Sequence, residues 1–324
     1  MTRLLLTGGA GFIGANLARY ARQQDVAVTV LDDLSTGTRS SLDGLNVDFV
    51  LGSVLDDAAL DTALNGVDAV VHLAAVADVA SSLRAPLTSH AANATGTLMV
   101  LEACRRHGVG HVVAASSSAV YGANPATPVH EREWVRPLSP YGVSKLAMEQ
   151  YLLAYQSCYG LSTLAFRFFN VYGPGQSAAH VYAAVIPAFL DALLAGRPLT
   201  INGDGTQTRD FVFVGSVCQL LLTAAVRRMS HPEPVNLAFG TSTSLLSLVS
   251  ELEQATGLTA QLHHGERQPG DVLHSRADPT LLRTLFPALA PVPLAEGLAA
   301  TVAWFRGESA GARRATGASP HTSG

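Results

Sequence analysis

Short, near-continuous apolar runs alternate with segments of helical character through the first half of the chain. Leu4 to Leu6 reads as a strand, the stretch through Asn16, Leu17, Ala18 and Tyr20 as a helix, and Val26 to Leu31 as a second strand ending at Asp32-Asp33. The alternation continues with Val47 to Leu51 (strand), Asp56 to Leu64 (helix), Val67 to Leu73 (strand), Ala91 to His107 (helix), His111 to Ala115 (strand) and Ser162 to Phe169 (strand). Strands that are apolar on both faces and separated by helices predict a parallel sheet covered on both sides. Beyond residue 175 glycine and proline interruptions become frequent, and helical segments at 181–195, 215–229, 244–256, 278–285 and 294–306 are joined by short strands. This half predicts a smaller α/β lobe, and the stretch 307–324, rich in Gly, Ala, Ser and Thr, is expected to be disordered.

The first strand runs into Thr7-Gly8-Gly9-Ala10-Gly11-Phe12-Ile13-Gly14, so the glycines at 8, 11 and 14 open the first helix of a βαβ unit. That context is what makes such a turn a dinucleotide-binding signal. Gly8 and Gly11 allow a tight turn and close approach of a pyrophosphate to the backbone. The helix end offers free N–H groups and a positive dipole end, and Gly14 lets helix and strand pack closely. Asp32, eighteen residues after Gly14, can accept both ribose hydroxyls of an adenosine and would repel a 2′-phosphate, which favours NAD over NADP. The expected class is therefore α/β: a Rossmann doubly wound parallel sheet over 1–175, rejoined by segments near 210–230, with an interleaved C-terminal substrate lobe over 176–306.

Composition narrows the setting. The 324 residues are 48% hydrophobic and 14% charged, with a net charge of −4, a mean hydropathy of +0.24 and a pI near 6.2. No Lys/Arg run precedes the tail, so neither a nucleic acid nor an anionic membrane is an expected partner. The three cysteines show no metal or redox spacing and are expected to be buried thiols. The adjacent His263 and His264 cannot form a spaced ligand pair, and no metal is expected. The first strand begins at Arg3 and no apolar run approaches 18 residues, so a cytoplasmic location is expected.

Ser139-Pro140 reads as a helix start, which places Tyr141 and Lys145 four apart on one helical face, about 5–6 Å between Cβ atoms. A phenol titrates near 10, and bringing it to 7 takes roughly 4 kcal/mol of preferential phenolate stabilisation. A lysine ammonium one turn away supplies part of that, and a nicotinamide ring nearby would add positive charge, giving a usable general base for a sugar or alcohol hydroxyl. Two strand tails are candidate site walls, because ligands of open α/β sheets lie at the carboxyl ends of strands. Ala74-Ala75-Val76-Ala77 offers small residues to a flat ring, and Ser116-Ser117-Ser118 offers hydroxyls that either relay a proton to Tyr141 or cap the turn.

Together with Arg167-Phe168-Phe169-Asn170-Val171-Tyr172-Gly173 and Gln207-Thr208-Arg209-Asp210-Phe211, these motifs make the chain, from about residue 2 to 306, resemble an extended short-chain dehydrogenase/reductase. Within that group it looks like the nucleotide-sugar epimerases that act on UDP-glucose or UDP-N-acetylglucosamine at C4. The resemblance implies a tightly held NAD that is reduced and reoxidised within each turnover. Tyr141 would take the proton of the sugar 4-hydroxyl, the 4-keto sugar would swing over, and hydride would return to its other face. Lys145 would lower the Tyr141 pKa and hold the nicotinamide ribose, and Ser117 would bond the 4-oxygen. NAD would further meet Gly8, Gly11, Phe12, Ile13 and Gly14, then Asp32, Asp33, Thr36 and Gly37, Ser53 and Val54, and Leu73, Ala74, Ala75 and Asn93. The UDP-sugar would meet Ser117, Ser118 and Tyr141, the phosphate-contacting Asn170 with Gln176, and the uracil-bordering Leu199 and Ile201. The diphosphate arginine Arg209, with Arg267, Asp271 and the sugar gate Ser275, would complete the substrate set. A homodimer through helices 90–107 and 141–158 is also implied.

Related 4,6-dehydratases carry an Asp-Glu pair directly after the active-site hydroxyl, and UDP-glucuronate decarboxylases a Glu two residues after it. Here those positions are Ser118 and Ala119, which removes the catalysts of elimination and decarboxylation. Other departures are Ser53 for an adenine-contacting Asp, Gly215-Ser216 for an acidic residue, Gln268 with the arginine one residue early at Arg267, and a small Ser275 that leaves room for an N-acetyl group. The expected function is a UDP-hexose or UDP-N-acetylhexosamine 4-epimerase. Alternatives are a UDP-glucuronate 4-epimerase, another nucleotide-sugar epimerase or reductase, and a catalytically silent NAD-binding regulator.

Overall fold

The structure, a computed structural model, describes residues 2–178, 184–266 and 273–316, from 308 on as backbone only. β1 (Arg3–Thr7), α1 (Phe12–Gln23), β2 (Ala27–Asp32), β3 (Asp48–Leu51), α2 (Asp57–Ala63) and β4 (Ala69–His72) follow the predicted alternation. Two short helices not foreseen come next, α3 (Val79–Arg84) and α4 (Pro86–His90). The latter runs through a π-helical turn (Ala91–Thr95) into α5 (Gly96–His107), where one continuous helix was expected. β5 (His111–Ser117), α6 (Pro140–Tyr159) and β6 (Ser162–Phe168) complete the first half.

The central sheet has seven strands. β7 (Asn170–Tyr172), α7 (Val185–Leu194), β8 (Leu199–Asn202), β9 (Thr208–Arg209), β10 (Phe211–Phe213) and α8 (Val214–Val226) lead to β11 (Val235–Leu237), which returns to its edge. The order is β11-β6-β5-β4-β1-β2-β3, with every neighbour parallel. The order reverses between β1 and β4, the switch point at which ligands of such sheets sit. One core lies on the α1 and α8 side, with Leu6, Val30, Phe166 and Leu221 fully buried. The other, with Leu5, Leu60, Leu101 and Leu152, lies under α2, α5 and α6.

The lobe closes on itself around Phe189, Leu190, Leu199, Ile201 and Leu252. β12 (Thr243–Ser244), α9 (Leu245–Thr256), β13 (Leu262–Gly265), β14 (His274–Ser275), α10 (Thr280–Leu285) and α11 (Leu294–Thr316) complete the chain. β12 and β14 flank β9, and β13 pairs with β8. α11 continues ten residues beyond the expected helix end at 306, into the stretch expected to be disordered. The first part of the helix expected at 181–195 lies outside the described residues. Cys104 and Cys218 are buried as expected, but Cys158 is exposed: the inward stripe of α6 passes through Met148, Leu152 and Tyr155 and leaves position 158 facing out.

Candidate active site

At the dinucleotide end, Gly8 adopts φ +69° and donates its N–H to the Leu31 carbonyl at 2.8 Å. A Cβ there would stand 2.7 Å from the Ala74 nitrogen, so the turn presses against the tail of β4. A Cβ on Gly14 would stand 2.3 Å from the Gly8 carbonyl oxygen, which is the close helix-on-turn packing read from the glycine spacing. Gly11 caps α1 without a side-chain acceptor, leaving the N–H groups of Phe12, Ile13 and Gly14 as a positive end for an anion. Asp32 is fixed at the end of β2: its carboxylate accepts from Ala10 N at 2.9 Å and Leu34 N at 2.8 Å. These features fit a dinucleotide.

The loop after β2 folds back over the turn, where a Cβ on Gly37 would meet the Ala10 backbone at 2.7 Å. Asp33 and Thr36 are exposed beside it. Ser53 accepts from Leu55 N at 3.2 Å. Val54, expected to touch the cofactor, turns its side chain into the core against Gly96 and leaves only its backbone for a ligand. Leu73, Ala74 and Ala75 form a half-buried wall.

The reacting end is assembled by α6. Ser139 caps it by accepting from Gly142 N at 3.1 Å, Pro140 takes the first position, and a Cβ on Gly142 would stand 2.8 Å from the Ala119 carbonyl oxygen. The close approach seats Tyr141 against the turn that follows β5. Ser117 ends that strand and accepts from Ala119 N at 3.1 Å, with half-buried Ser118 beside it.

Burial raises the Tyr141 pKa, a hydrogen bond from Ser117 opposes the rise, and the Asp78 carboxylate at the head of α3 adds to it. The expected lowering by Lys145 is not among these influences. The Lys145 Nζ instead donates to the Ala115 carbonyl at 2.7 Å and lies 6.0 Å from the Tyr141 ring centre. Burial pushes the Lys145 pKa down to about 8, and Glu149 one turn along opposes that fall.

Polar groups behind this pair are fully committed. Asn93, in the π-helical turn, accepts from Val76 N at 2.8 Å and donates to Val76 O at 3.0 Å and Ser144 Oγ at 2.9 Å. It therefore ties the ring wall to α6, a role for which the expected cofactor contact gave no hint. His72, at the end of β4, is bonded to Thr7 at 2.7 Å and Thr97 at 2.9 Å, and burial pushes its pKa down to about 3. Asp78, His72, Ser144 and Glu149 were not singled out from the sequence. The one available sign was a charged or polar residue inside an apolar run.

Beyond β6, β7 and β10 pair in parallel, and half-buried Asn170 donates to the Asp210 carbonyl at 3.3 Å. Gln176 donates to the Val171 carbonyl at 3.2 Å, and its Oε1 has no hydrogen-bond partner among the described residues. Asn16 holds the Pro174 carbonyl at 2.8 Å and ties this loop to α1. Leu199 and Ile201 are fully buried in the lobe core, so strand β8 can meet a ligand through its backbone, exposed Thr200 or half-buried Asn202 rather than through these two side chains. Half-buried Arg209 and Ser275 are brought side by side by the parallel pairing of β9 and β14. The Arg209 guanidinium donates to the carbonyls of Thr208 at 3.0 Å and Leu273 at 3.3 Å. Asp210 next to it is buried and accepts from Gly240 N, Thr241 Oγ1 and Ala277 N, which anchors the strand that carries Arg209. Arg267 and Asp271 lie outside the described residues.

Residues 4–238 match the model of the NAD dependent epimerase/dehydratase family. A UDP-glucose 4-epimerase of Mycolicibacterium smegmatis is 37% identical over 313 residues, 95% of this chain and 99% of that one. A Thermus thermophilus UDP-glucose 4-epimerase solved with NAD superposes with a TM-score of 0.86 at 34% identity, covering 94% of this chain and 99% of that one. A Methanobrevibacter ruminantium UDP-N-acetylglucosamine 4-epimerase, solved with UDP-N-acetylmuramic acid, gives 0.89 at 34% identity, covering 95% and 99%.

Proposed function

We propose that this chain, which belongs to the NAD-dependent epimerase/dehydratase family, inverts C4 of a UDP-hexose or UDP-N-acetylhexosamine through a transient 4-keto sugar. The observation that carries the reading is the group of buried Tyr141 and Lys145 with half-buried Ser117 beside the glycine turn, followed by Ser118 and Ala119 where elimination or decarboxylation needs a carboxyl group.

NAD is the cofactor, and when bound it supplies the acceptor and donor of hydride at the sugar carbon. Gly8, Gly11 and Gly14 with the first turn of α1 hold its pyrophosphate, and Asp32 holds the adenosine ribose. Lys145 holds the nicotinamide ribose. Tyr141 accepts the proton from the sugar 4-hydroxyl and later returns one to the 4-oxygen, so no external acid or base is consumed. Ser117 donates to the same oxygen and keeps it within reach of the phenol in both directions. Arg209 and Asn170 hold the diphosphate while the sugar turns, which lets one Tyr141 serve both faces. The small Ser275 leaves space at the sugar 2-position.

The chain would work as a homodimer. Val143, Tyr151 and Tyr159 on the outer face of α6 are 52%, 38% and 58% exposed, and a second copy would cover them. No helix among the described residues is long and apolar enough to cross a membrane.

Proton NMR of the purified protein tests the reading with UDP-glucose, UDP-N-acetylglucosamine and UDP-glucuronate offered separately and no NAD added. Interconversion of gluco and galacto forms is expected with one or both of the first two sugars. Conversion of UDP-glucuronate alone would replace the substrate class, and conversion of none by NAD-loaded protein would overturn the reading.

A further inference from the structure

Glu149 and Lys145 lie one turn apart on α6, 0% and 4% exposed. The Glu149 carboxylate is held from three directions. Arg167 Nε donates to Oε1 at 2.9 Å, a terminal Arg167 nitrogen donates to Oε2 at 2.9 Å, and Ser116 Oγ donates to Oε1 at 2.5 Å. Arg167 is itself fixed, donating to the Glu131 carbonyl at 3.0 Å with its guanidinium 4.7 Å from the Tyr121 ring centre. Tyr121 in turn donates to Asn236 at 2.6 Å. Glu149 therefore cannot swing away from Lys145.

The two side chains also grip consecutive residues of β5. Lys145 donates to the Ala115 carbonyl, and Glu149 receives the Ser116 hydroxyl. The next residue is Ser117.

Among the described residues, few titratable groups face Lys145. α6 contributes Tyr141 and Glu149, β4 contributes His72, and β6 contributes Arg167 behind Glu149. Asp78, at the head of α3, acts on Tyr141. His72 is neutral and Arg167 is cationic, so Glu149 is the negative group that favours a buried ammonium here.

We propose that Glu149 is the positioning residue of this site: it keeps Lys145 charged and, through Ser116, seats the strand tail that carries Ser117. The proposal rests on reading Tyr141 and Lys145 as the proton-handling pair, but its direct readout needs no turnover.

Lys145 is the only lysine in the 324 residues. Protein labelled with [ε-13C]lysine therefore gives one side-chain signal, whose pH titration reports Lys145 directly in the NAD-loaded enzyme. In Glu149→Gln the midpoint should fall by about one pH unit or more, the effect of removing an opposite charge one helical turn away in a buried site. Arg167→Leu should not lower it, since that change removes a positive charge. Glu149→Gln strands Arg167, so the double variant Glu149→Leu with Arg167→Leu is the second arm, replacing the buried pair by apolar side chains. It should lower the midpoint as Glu149→Gln does, and the alkaline limb of kcat should move with it.

An unmoved midpoint in either folded variant lacking Glu149 overturns the proposal, as does an equal fall in Arg167→Leu, which would mark a packing defect. Failure of every UDP-sugar to turn over would sink the reaction assignment and leave the titration result standing.

Discussion

Tyr141, Lys145, Glu149 and Arg167 are each at most 9% exposed, and each is tied to another element of the sheet or its covering helices. Asn170, Gln176, Arg209 and Ser275 stay half-buried on short strands and loops of the lobe, and the Gln176 Oε1 has no partner among the described residues. On the proposed function, the two ends divide the work of one site. A proton-transfer centre gains from groups whose positions and charges do not change on reaction, because no reorganisation is then needed in the transition state. A subsite whose sugar must turn over between two half-reactions gains from contacts concentrated on the diphosphate, which leave the sugar free.

The largest effect expected from this division is at the reacting end. Tyr141→Phe keeps the ring in its packing but removes the exchangeable proton, and turnover should fall by ~10²–10⁴-fold, the usual contribution of a positioned acid–base group. Binding of NAD and of the UDP-sugar, followed by calorimetry, should be nearly unchanged. Residual turnover within tenfold of the parent would move the acid–base role elsewhere. Arg209→Met probes the other end. Losing a charge-assisted contact worth roughly 1.5–3 kcal/mol should raise KM by about 10–100-fold and leave kcat within a few-fold. A matching fall in kcat with constant KM would show that the diphosphate grip is used in the transition state and that the two ends are not separable.

The same division governs what could be read from the sequence. The glycine turn, Asp32 and the Tyr141–Lys145 pair are local patterns in which spacing alone places groups on one turn or one helical face, so they are legible in the sequence itself. The alternation of strands and helices gave the parallel sheet for the same reason. α3 and α4 were missed because Val79 to His90 is short, interrupted by Pro86, and carries exposed Leu83 and Leu87 instead of a buried stripe. The clasp of Glu149 by Arg167 and Ser116 joins residues 18 and 33 positions apart, and no periodicity encodes that. Its trace was Arg167 itself, a cation inside an apolar strand, which needs a buried partner. Arg209 and Ser275 were named by resemblance, and their adjacency follows from a two-residue strand pairing too short to leave a pattern.

A smaller effect should sharpen the account of the lobe. Ser275 lies beside Arg209 in parallel register, and a bulky side chain there should close the space at the sugar 2-position. Ser275→Tyr is expected to reduce kcat/KM for UDP-N-acetylglucosamine about tenfold relative to UDP-glucose, measured by competition in one NMR tube. An unchanged ratio would remove Ser275 from sugar selection.

The smallest effect is on stability. The buried histidines His72 and His111 belong to β4 and β5 of the central sheet, whereas His263 on β13 and His264 beside it are exposed. Burial is the main cause that pushes His72 down to about 3 and His111 down to about 4. Both folded values lie below the unfolded value near 6.5. Below that pH the unfolded chain binds protons that the native sheet does not, so stability falls with pH through the interval from about 6.5 to the folded values, and above it the histidines contribute no slope. Each buried histidine supplies up to about 1.4 kcal/mol per pH unit in that interval. Thermal melts between pH 7 and 4 should therefore show a loss of Tm that His72→Asn partly flattens and that His263→Asn with His264→Asn leaves alone. Equal flattening by the lobe variant would mean that acid sensitivity is shared by both ends, and the contrast between a committed, buried reacting end and a more open sugar end would then not extend to stability.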